Sequence, residues 1–458
     1  MNNPSGKTPL SPRKRAVWQG LKLARRRSLP DRLVALRAQY GDVVRISSFP
    51  APTYLISHPE GVQHILRNNA GNYRKGAFFR SIALLQGQGL LTSEGEDWQA
   101  QRRTAQPAFR HPDQASAHGA ITTEEARDMA ERWREVARSG QPVNVAAWMH
   151  RLTFRVAGRA LLGIAPDDLD GIGRQLQGVG RQLRPLLASG LTRAWALPVW
   201  LPALRRRRFR HAIAGYNAIV QRLIDRRRAA GQGDRCRGVN LLDLLMAAAE
   251  DGKRRDQQLR DQVMTFIGAG VETAAQALSW TWYLLARHAE AADRLQAELD
   301  TVLGGSPPEP AALPRLSYTR MVLDEVLRLY PPAAVIPRQA NAADNLGGFG
   351  IGKNARVLIS PYVTHRHEAF WADPTEFKPE RFTPGQEVVR HRFAYLPFGA
   401  GPRVCIGQHL ALMEMHLALA TLAQRYTLHL IPGRTVVPEM TTTLGPRGGL
   451  WMTVHERG

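Results

Sequence analysis

The residues with the most chemistry in this chain are Phe398-Gly-Ala-Gly401-Pro-Arg403-Val-Cys405-Ile-Gly407. A cysteine here closes a glycine-rich turn, with an arginine two residues before it and an apolar helical pattern (Leu410, Leu412, Met413, Leu417, Leu419) directly after. Glycines let backbone N–H groups converge on an anion beside a helix N-terminus, which favours the thiolate over the thiol. A thiolate so held can ligate haem iron and push electron density onto it. Arg403 offers the planar fork that grips a carboxylate such as a haem propionate. A buried structural cysteine is the plainer reading, but it leaves the arginine and the glycine spacing unexplained.

Two further groups of residues raise the same question. Gly268-Ala269-Gly270-Val271-Glu272-Thr273 puts two glycines inside a long helical pattern, where each costs about 1 kcal/mol relative to alanine. Thr273 can bond back to the carbonyl four residues earlier and bend the helix. A close helix crossing at small residues would account for the glycines, but not for an acid followed by an alcohol, which can pass protons. Glu325-Val-Leu-Arg328 sets opposite charges on one helix face. On a solvated face that pair is worth under about 1 kcal/mol. Here it is followed by Leu-Tyr-Pro-Pro and by Pro379-Glu380-Arg381-Phe382.

The spacing F-x-x-G-x-R-x-C-x-G resembles that of the cytochrome P-450 family of haem-thiolate monooxygenases. So do the acid–alcohol stretch, E-x-x-R, P-E-R-F and the W-x-x-x-R of Trp98 to Arg102, in the family's order from about Asp42 to Thr453. The resemblance implies a mainly α fold with a small β region, a triangular helical body around a haem with minor β-sheets. It implies Cys405 as the iron ligand of haem b. Haem contacts would come from Trp98, Arg102, Ala269, Gly270, Arg338, Phe398, Gly399, Gly401, Arg403 and Gly407. Thr273 would hydrogen-bond oxygen and Glu272 would relay protons, while Glu325, Arg328 and Arg381 would form a buried structural network. One departure is His365-Arg366-His367, where the family often has His-Arg-Asp.

The implied activity inserts one atom of O2 into a lipophilic small molecule: a lipid, a terpenoid or another secondary metabolite. Electrons would come from NAD(P)H through a separate ferredoxin or flavodoxin with its reductase, since this chain carries no flavin, nucleotide or iron–sulfur motif. By the same resemblance the pocket is lined by Ala77 to Leu91, Leu186 to Trp195, Met264 to Thr273, Ala333 to Ile336 and Thr441 to Leu444, with Phe78, Phe79 and Phe266 as walls. Two alternatives keep the haem: a peroxide-driven oxygenase, disfavoured by the acid–alcohol pair, and a non-catalytic haem-binding protein.

The elements that must position these residues follow from periodicity. Asp31 to Tyr40 reads as a short helix. Asp42-Val-Val-Arg-Ile and Thr53-Tyr-Leu-Ile-Ser, either side of Pro50-Ala-Pro52, read as a hairpin. His58-Pro opens a helix ending near Asn68. Helical periodicity runs from Glu96 to Arg228, broken at Pro107, Gly140-Gln-Pro142 and Pro198 to Pro202, and Leu241 to Leu303 holds long helices without proline. After Pro331 the chain turns to strands and turns, until a last helix follows Cys405.

Composition sets the outer bounds. The chain has 458 residues, 44% of them hydrophobic, enough for a sizeable core. Neither a linker nor a repeat divides it, so residues 29–458 are expected to form one haem-binding domain after a basic, mobile segment, residues 1–28. Its two cysteines, Cys236 and Cys405, exclude a disulfide framework and suit a reducing cytoplasm. The N-terminus has no apolar run of the ~20 residues a membrane helix needs, so a soluble, cytoplasmic monomer of bacterial type is expected. The net charge of +23 would suit nucleic acid or anionic membrane. Its arginines are scattered along helical patterns without a nucleic-acid-reading motif, so docking of an acidic electron carrier is the expected use. Arg103 and Arg110 are candidates for that surface, and Arg205 to Arg208 for a peripheral membrane contact.

Overall fold

The computed structural model describes residues 28–48, 51–191, 203–229, 240–248, 253–386 and 390–457. The basic segment 1–27, the turn at Pro50, the stretch 192–202 and Cys236 lie outside them. In chain order the helices are α1 Leu29–Tyr40, α2 Pro59–Gln63, α3 Gly76–Gln86, α4 Gly95–Ala105, α5 Pro107–Arg110, α6 Pro112–Ser139, α7 Val145–Ala160 and α8 Pro166–Leu191. There follow α9 Ala203–Ala229, α10 Leu241–Ala248, α11 Lys253–Leu285, α12 Ala289–Leu303, α13 Ser317–Leu329, α14 Pro361–Thr364 and α15 Gln408–Ala423. The strands are β1 Val43–Ser47, β2 Thr53–Ile56, β3 Tyr73–Arg74, β4 Val143–Asn144, β5 Ile336–Ala340, β6 Asp344–Leu346, β7 Phe349–Ile351, β8 Arg356–Ile359, β9 Tyr426–Leu430, β10 Pro438–Met440, β11 Leu444–Pro446 and β12 Trp451–Glu456. This is the mainly helical architecture with a small β region that the sequence implies.

Contacts divide the chain into two compact units. The first comprises Met1–Phe78, Asp324–Cys405 and Val436–Arg447. Its core is a sheet in the order β1-β2-β8-β5-β3. β1 and β2 form the expected antiparallel hairpin, Val43 opposite Ile56, while β2 and β8 run parallel with Leu55 opposite Leu358. The apolar residues of these strands (Tyr54, Ile56, Val357, Ile359) pack with Ile65, Leu66 and Phe393. His58 caps α2 as read, its ring accepting from the Glu60 N–H.

The second unit comprises Phe79–Leu323, Ile406–Thr435 and Gly448–Gly458. The breaks read from proline and glycine recur here: Pro107 opens α5, and Gly140 ends α6 at φ +61°, in the left-handed region that only glycine adopts readily. From Ala274 to Leu285 every residue of α11 is buried, as is every residue of α15 from Glu414 to Ala423. Helices that are apolar on all sides belong at the centre of a helical body. α7 packs along α11, and α6 along α15. α11 continues through Gly268 and Gly270 without a break.

Candidate active site

The cysteine loop is built by backbone. Gly399 and Gly401 sit at φ +72° and +71°, and Gly401-Pro-Arg403 forms one tight turn. A β-carbon on Gly401 would lie 1.8 Å from the Leu66 carbonyl oxygen, so no other residue fits there. Gly399 is less constrained, since its β-carbon would meet only Ile336 Cδ1 at 3.9 Å. The Cys405 N–H donates to the Phe398 carbonyl at 3.0 Å and closes the loop, leaving Cys405 itself exposed. Gly407 then caps α15, its carbonyl accepting from Ala411 N–H at 2.8 Å.

Beneath this loop, Glu325 and Arg328 are wholly buried. Arg328 Nε and Nη2 donate to the two Glu325 oxygens at 2.6 and 2.7 Å. Its remaining N–H groups donate to the carbonyls of His365, Pro374 and Glu376 at 2.7–2.9 Å. Glu325 also accepts from the Lys378 N–H at 2.9 Å, and Arg381 Nε stands 3.4 Å from the same oxygen. Arg381 further donates to the carbonyls of Ala372 and Asp373. The pair is therefore an anchor tying α13 to the 372–381 segment. Trp371, with the guanidinium of Arg328 at 4.9 Å and that of Arg390 at 3.8 Å from its ring centroid, extends it.

The two histidines after this helix are structural. The Leu396 N–H donates to His365 Nε2 at 2.9 Å, so Nδ1 carries the proton and donates to the Arg328 carbonyl at 3.1 Å. Burial pushes the His365 pKa down to about 3, which keeps the ring neutral. It links the anchor directly to the strand of backbone leading into the cysteine loop. His367 accepts from the Ala369 N–H through Nδ1 and meets Asp42 through Nε2 at 3.1 Å. Burial works against the Asp42 carboxylate, yet hydrogen bonds from His367 and Arg37 hold it well below the usual range.

On the second unit the acid–alcohol turn occupies the middle of α11. Thr273 Oγ1 donates to the Ala269 carbonyl at 2.8 Å, the back-bond read from the sequence. Its two glycines have separate reasons. A β-carbon on Gly268 would come 2.4 Å from Gln86 Nε2, so Gly268 serves helix packing. One on Gly270 would meet nothing within 4 Å, and Ala269 is exposed beside it. A bare, open helix face of this kind admits a flat group at close range.

Trp98 and Arg102 lie one turn apart on α4, Trp98 against the core of this unit and Arg102 half-buried. α4 is fixed by buried Gln101, whose Nε2 donates to the Gln88 carbonyl at 2.9 Å. Arg103 and Arg110 are exposed. Arg338 on β5 and Arg403 are half-buried on the first unit. Among the expected pocket walls, Phe266 is buried and stacked on Phe109 at 5.5 Å, and Arg80 is exposed.

The donor set suits an iron held within a prosthetic group. One exposed cysteine stands on a tightly turned loop, half-buried arginines of the kind that grip carboxylates occur at positions 102, 338 and 403, and no group of three or more His, Cys, Asp or Glu among the described residues could hold a bare ion. No helix among them is long and apolar enough to cross a membrane.

Reading by sequence passed over His150 and Thr153 on α7, which meet α11 at Glu272 and Val271. It also passed over Asp261 and Gln262, which accept from the N–H groups of Gln88 and Leu90. These contacts join residues more than a hundred positions apart, so no local pattern marks them. Gln276 alone had a signal, standing four residues after Glu272.

A family model described as Cytochrome P450 matches residues 9–452. Among curated proteins, the chain is 38% identical to a cyclooctatin synthase of Streptomyces melanosporofaciens, covering 91% of this chain and 90% of the relative. It is 35% identical to a cyclooctat-9-en-7-ol 5-monooxygenase of the same organism, over 94% and 90%. With a pentalenene oxygenase of Streptomyces avermitilis it shares 31%, over 91% of each chain. Among solved structures it superposes on a cytochrome P450DA heme domain with a TM-score of 0.86 at 27% identity, covering 99% of this chain and 98% of that one.

Proposed function

Since the chain belongs to the cytochrome P450 family and is a haem-dependent monooxygenase, we propose that it oxidises a terpenoid, with Cys405 as the residue that would ligate the iron and Glu272 and Thr273 as its proton-handling pair. Haem, when bound, supplies the iron at which O2 is activated, and a thiolate ligand favours O–O cleavage there. The remaining work belongs to the protein's own groups. The left-handed glycines present the Cys405 thiolate at a fixed place, and the Glu325–Arg328–Arg381 anchor, through His365, keeps that place from shifting. Arg102, Arg338 and Arg403 would hold the propionates of the haem through their guanidiniums, and Trp98 would add an indole N–H. Thr273 keeps its hydroxyl proton on the Ala269 carbonyl and releases it by rotating about the C–O bond. Glu272, partly exposed, exchanges protons with water and passes them on.

The observation that carries this reading is the rigid loop that leaves one cysteine exposed behind Gly401. In the reduced carbonyl complex, Cys405→Ser should lose the thiolate band near the wavelength that names the family. Persistence of that band would remove Cys405 as the ligand.

A terpenoid substrate is favoured by the relatives, which include a cyclooctat-9-en-7-ol 5-monooxygenase and a pentalenene oxygenase. Titration of the Soret band with a panel of sesquiterpene and diterpene hydrocarbons and alcohols, against fatty acids, tests it. A terpenoid should shift the band and gain one labelled atom from 18O2, while a response confined to fatty acids would overturn the substrate class. Electrons are proposed to come from NAD(P)H through a ferredoxin or flavodoxin docked on the exposed arginines Arg103 and Arg110.

A further inference from the structure

On α7, His150 and Thr153 stand three residues apart on one face and both reach the same turn of α11. His150 Nε2 lies 3.3 Å from Glu272 Oε2. The Thr153 hydroxyl donates to the Val271 carbonyl, the residue before Glu272, at 3.0 Å. From α11 itself, Gln276 Nε2 donates to the other Glu272 oxygen at 3.0 Å, while the Gln276 Oε1 is buried without a partner. The amide is thus turned with its donor toward the carboxylate. The other acids packed against α7 have different partners. Glu124 and Glu125 of α6 are held by Arg155 and Arg159, and Asp170 of α8 by Arg151 and Arg155. On β12, Glu456 faces Arg134 and His455 meets Thr453. His150 thus approaches one Glu272 oxygen from α7 while Gln276 holds the other from α11. An imidazole holds a carboxylate oxygen through one nitrogen, where an arginine can grip both oxygens with two.

We infer that His150 is the positioning residue of Glu272, fixing where the carboxylate rests on α7 and so how readily it delivers protons. This rests on the reading of Glu272 as a proton carrier. No substrate is needed to test it. Holoenzyme supplied with NADPH through a plant-type ferredoxin and its reductase divides oxygen between two products: O2 + 2e⁻ + 2H⁺ gives H2O2, and O2 + 4e⁻ + 4H⁺ gives two H2O. Faulty proton delivery enlarges the first share. His150→Leu should raise peroxide formed per NADPH about fivefold, a ratio within the usual coupling between touching residues. Glu272→Gln should raise it equally, the double variant no further, and His150→Gln, which keeps an N–H donor, should restore most of the loss. A second reading uses nitrogen-15 histidine spectra of the ferrous carbonyl holoenzyme, where Glu272→Gln should move the His150 Nε2 resonance. If Glu272→Gln raises peroxide while His150→Leu matches wild type, or if the resonance stays put, the positioning role is wrong and the role of Glu272 stands. If Glu272→Gln is itself silent on peroxide, the reading of Glu272 fails and this inference with it.

Discussion

Glu325 and Glu272 are both helical glutamates beside a basic partner, and their surroundings differ sharply. Glu325 is wholly buried, takes both forks of Arg328 and a backbone N–H, and faces a second arginine. Glu272 is about one-third exposed, 34% of its side chain, with an imidazole at one oxygen and an amide at the other. A buried carboxylate whose lone pairs are all taken cannot move without stranding its partners' charges, so it makes a scaffold. A part-exposed one that meets water keeps room to turn. The same side chain makes a scaffold where it is buried among arginine and backbone N–H groups, and on the proposed reading a carrier where water reaches it.

The largest effect should come from breaking the anchor. Glu325→Ala leaves Arg328 buried without its counter-charge, a change that costs about 3–5 kcal/mol, and little haem-loaded protein should be recovered. Soluble, haem-replete variant with normal melting would reduce the pair to an ordinary ion pair. Next come the glycines of the loop that the anchor supports. Gly401→Ala drives a β-carbon into the Leu66 carbonyl, whereas Gly399→Ala carries only the left-handed backbone penalty, about 1–2 kcal/mol. Haem retained per mole should therefore fall much further in Gly401→Ala, and equal losses would show that the close approach is not what selects glycine.

On the carrier side, stability should barely respond. Thr273→Ala removes one back-bond on a partly exposed helix face, so melting should move little while peroxide per NADPH rises severalfold. Unchanged partition would take Thr273 out of proton delivery. The smallest effect concerns electron entry. Exposed charges are screened beyond about 8 Å at physiological salt, so first-electron transfer should slow as salt rises, and Arg103→Glu should slow it modestly at low salt. Transfer insensitive to salt, together with vesicle binding lost on neutralising Arg205 to Arg208, would assign the positive charge to a membrane surface.

The anchor could be read before the structure because each of its parts has a short-range signature: E-x-x-R at helical spacing, P-E-R-F with a proline stop, and Gly-x-Gly before the cysteine. The hairpin at Val43 to Ile56 and the caps at His58 and Gly140 were legible for the same local reason. Partners drawn from remote segments were not. Nothing near Gly401 names Leu66, and nothing near His365 says that its ring will join Arg328 to Leu396. The departure at His367, whose role the sequence left open, proves to be a bridge between Asp42 and the Ala369 N–H.

By itself, then, the sequence determined the residue types, the helical phase that sets Glu325 over Arg328 and Trp98 over Arg102, and the glycines that permit left-handed turns. These follow from covalent geometry and from hydrogen bonds closed within a few residues. Only the tertiary structure decided which glycine meets a neighbour and which an open face, which histidine is buried and neutral, and which acid lies wholly inside and which meets water. Those outcomes depend on how many donors, and how much water, distant segments bring to one carboxylate.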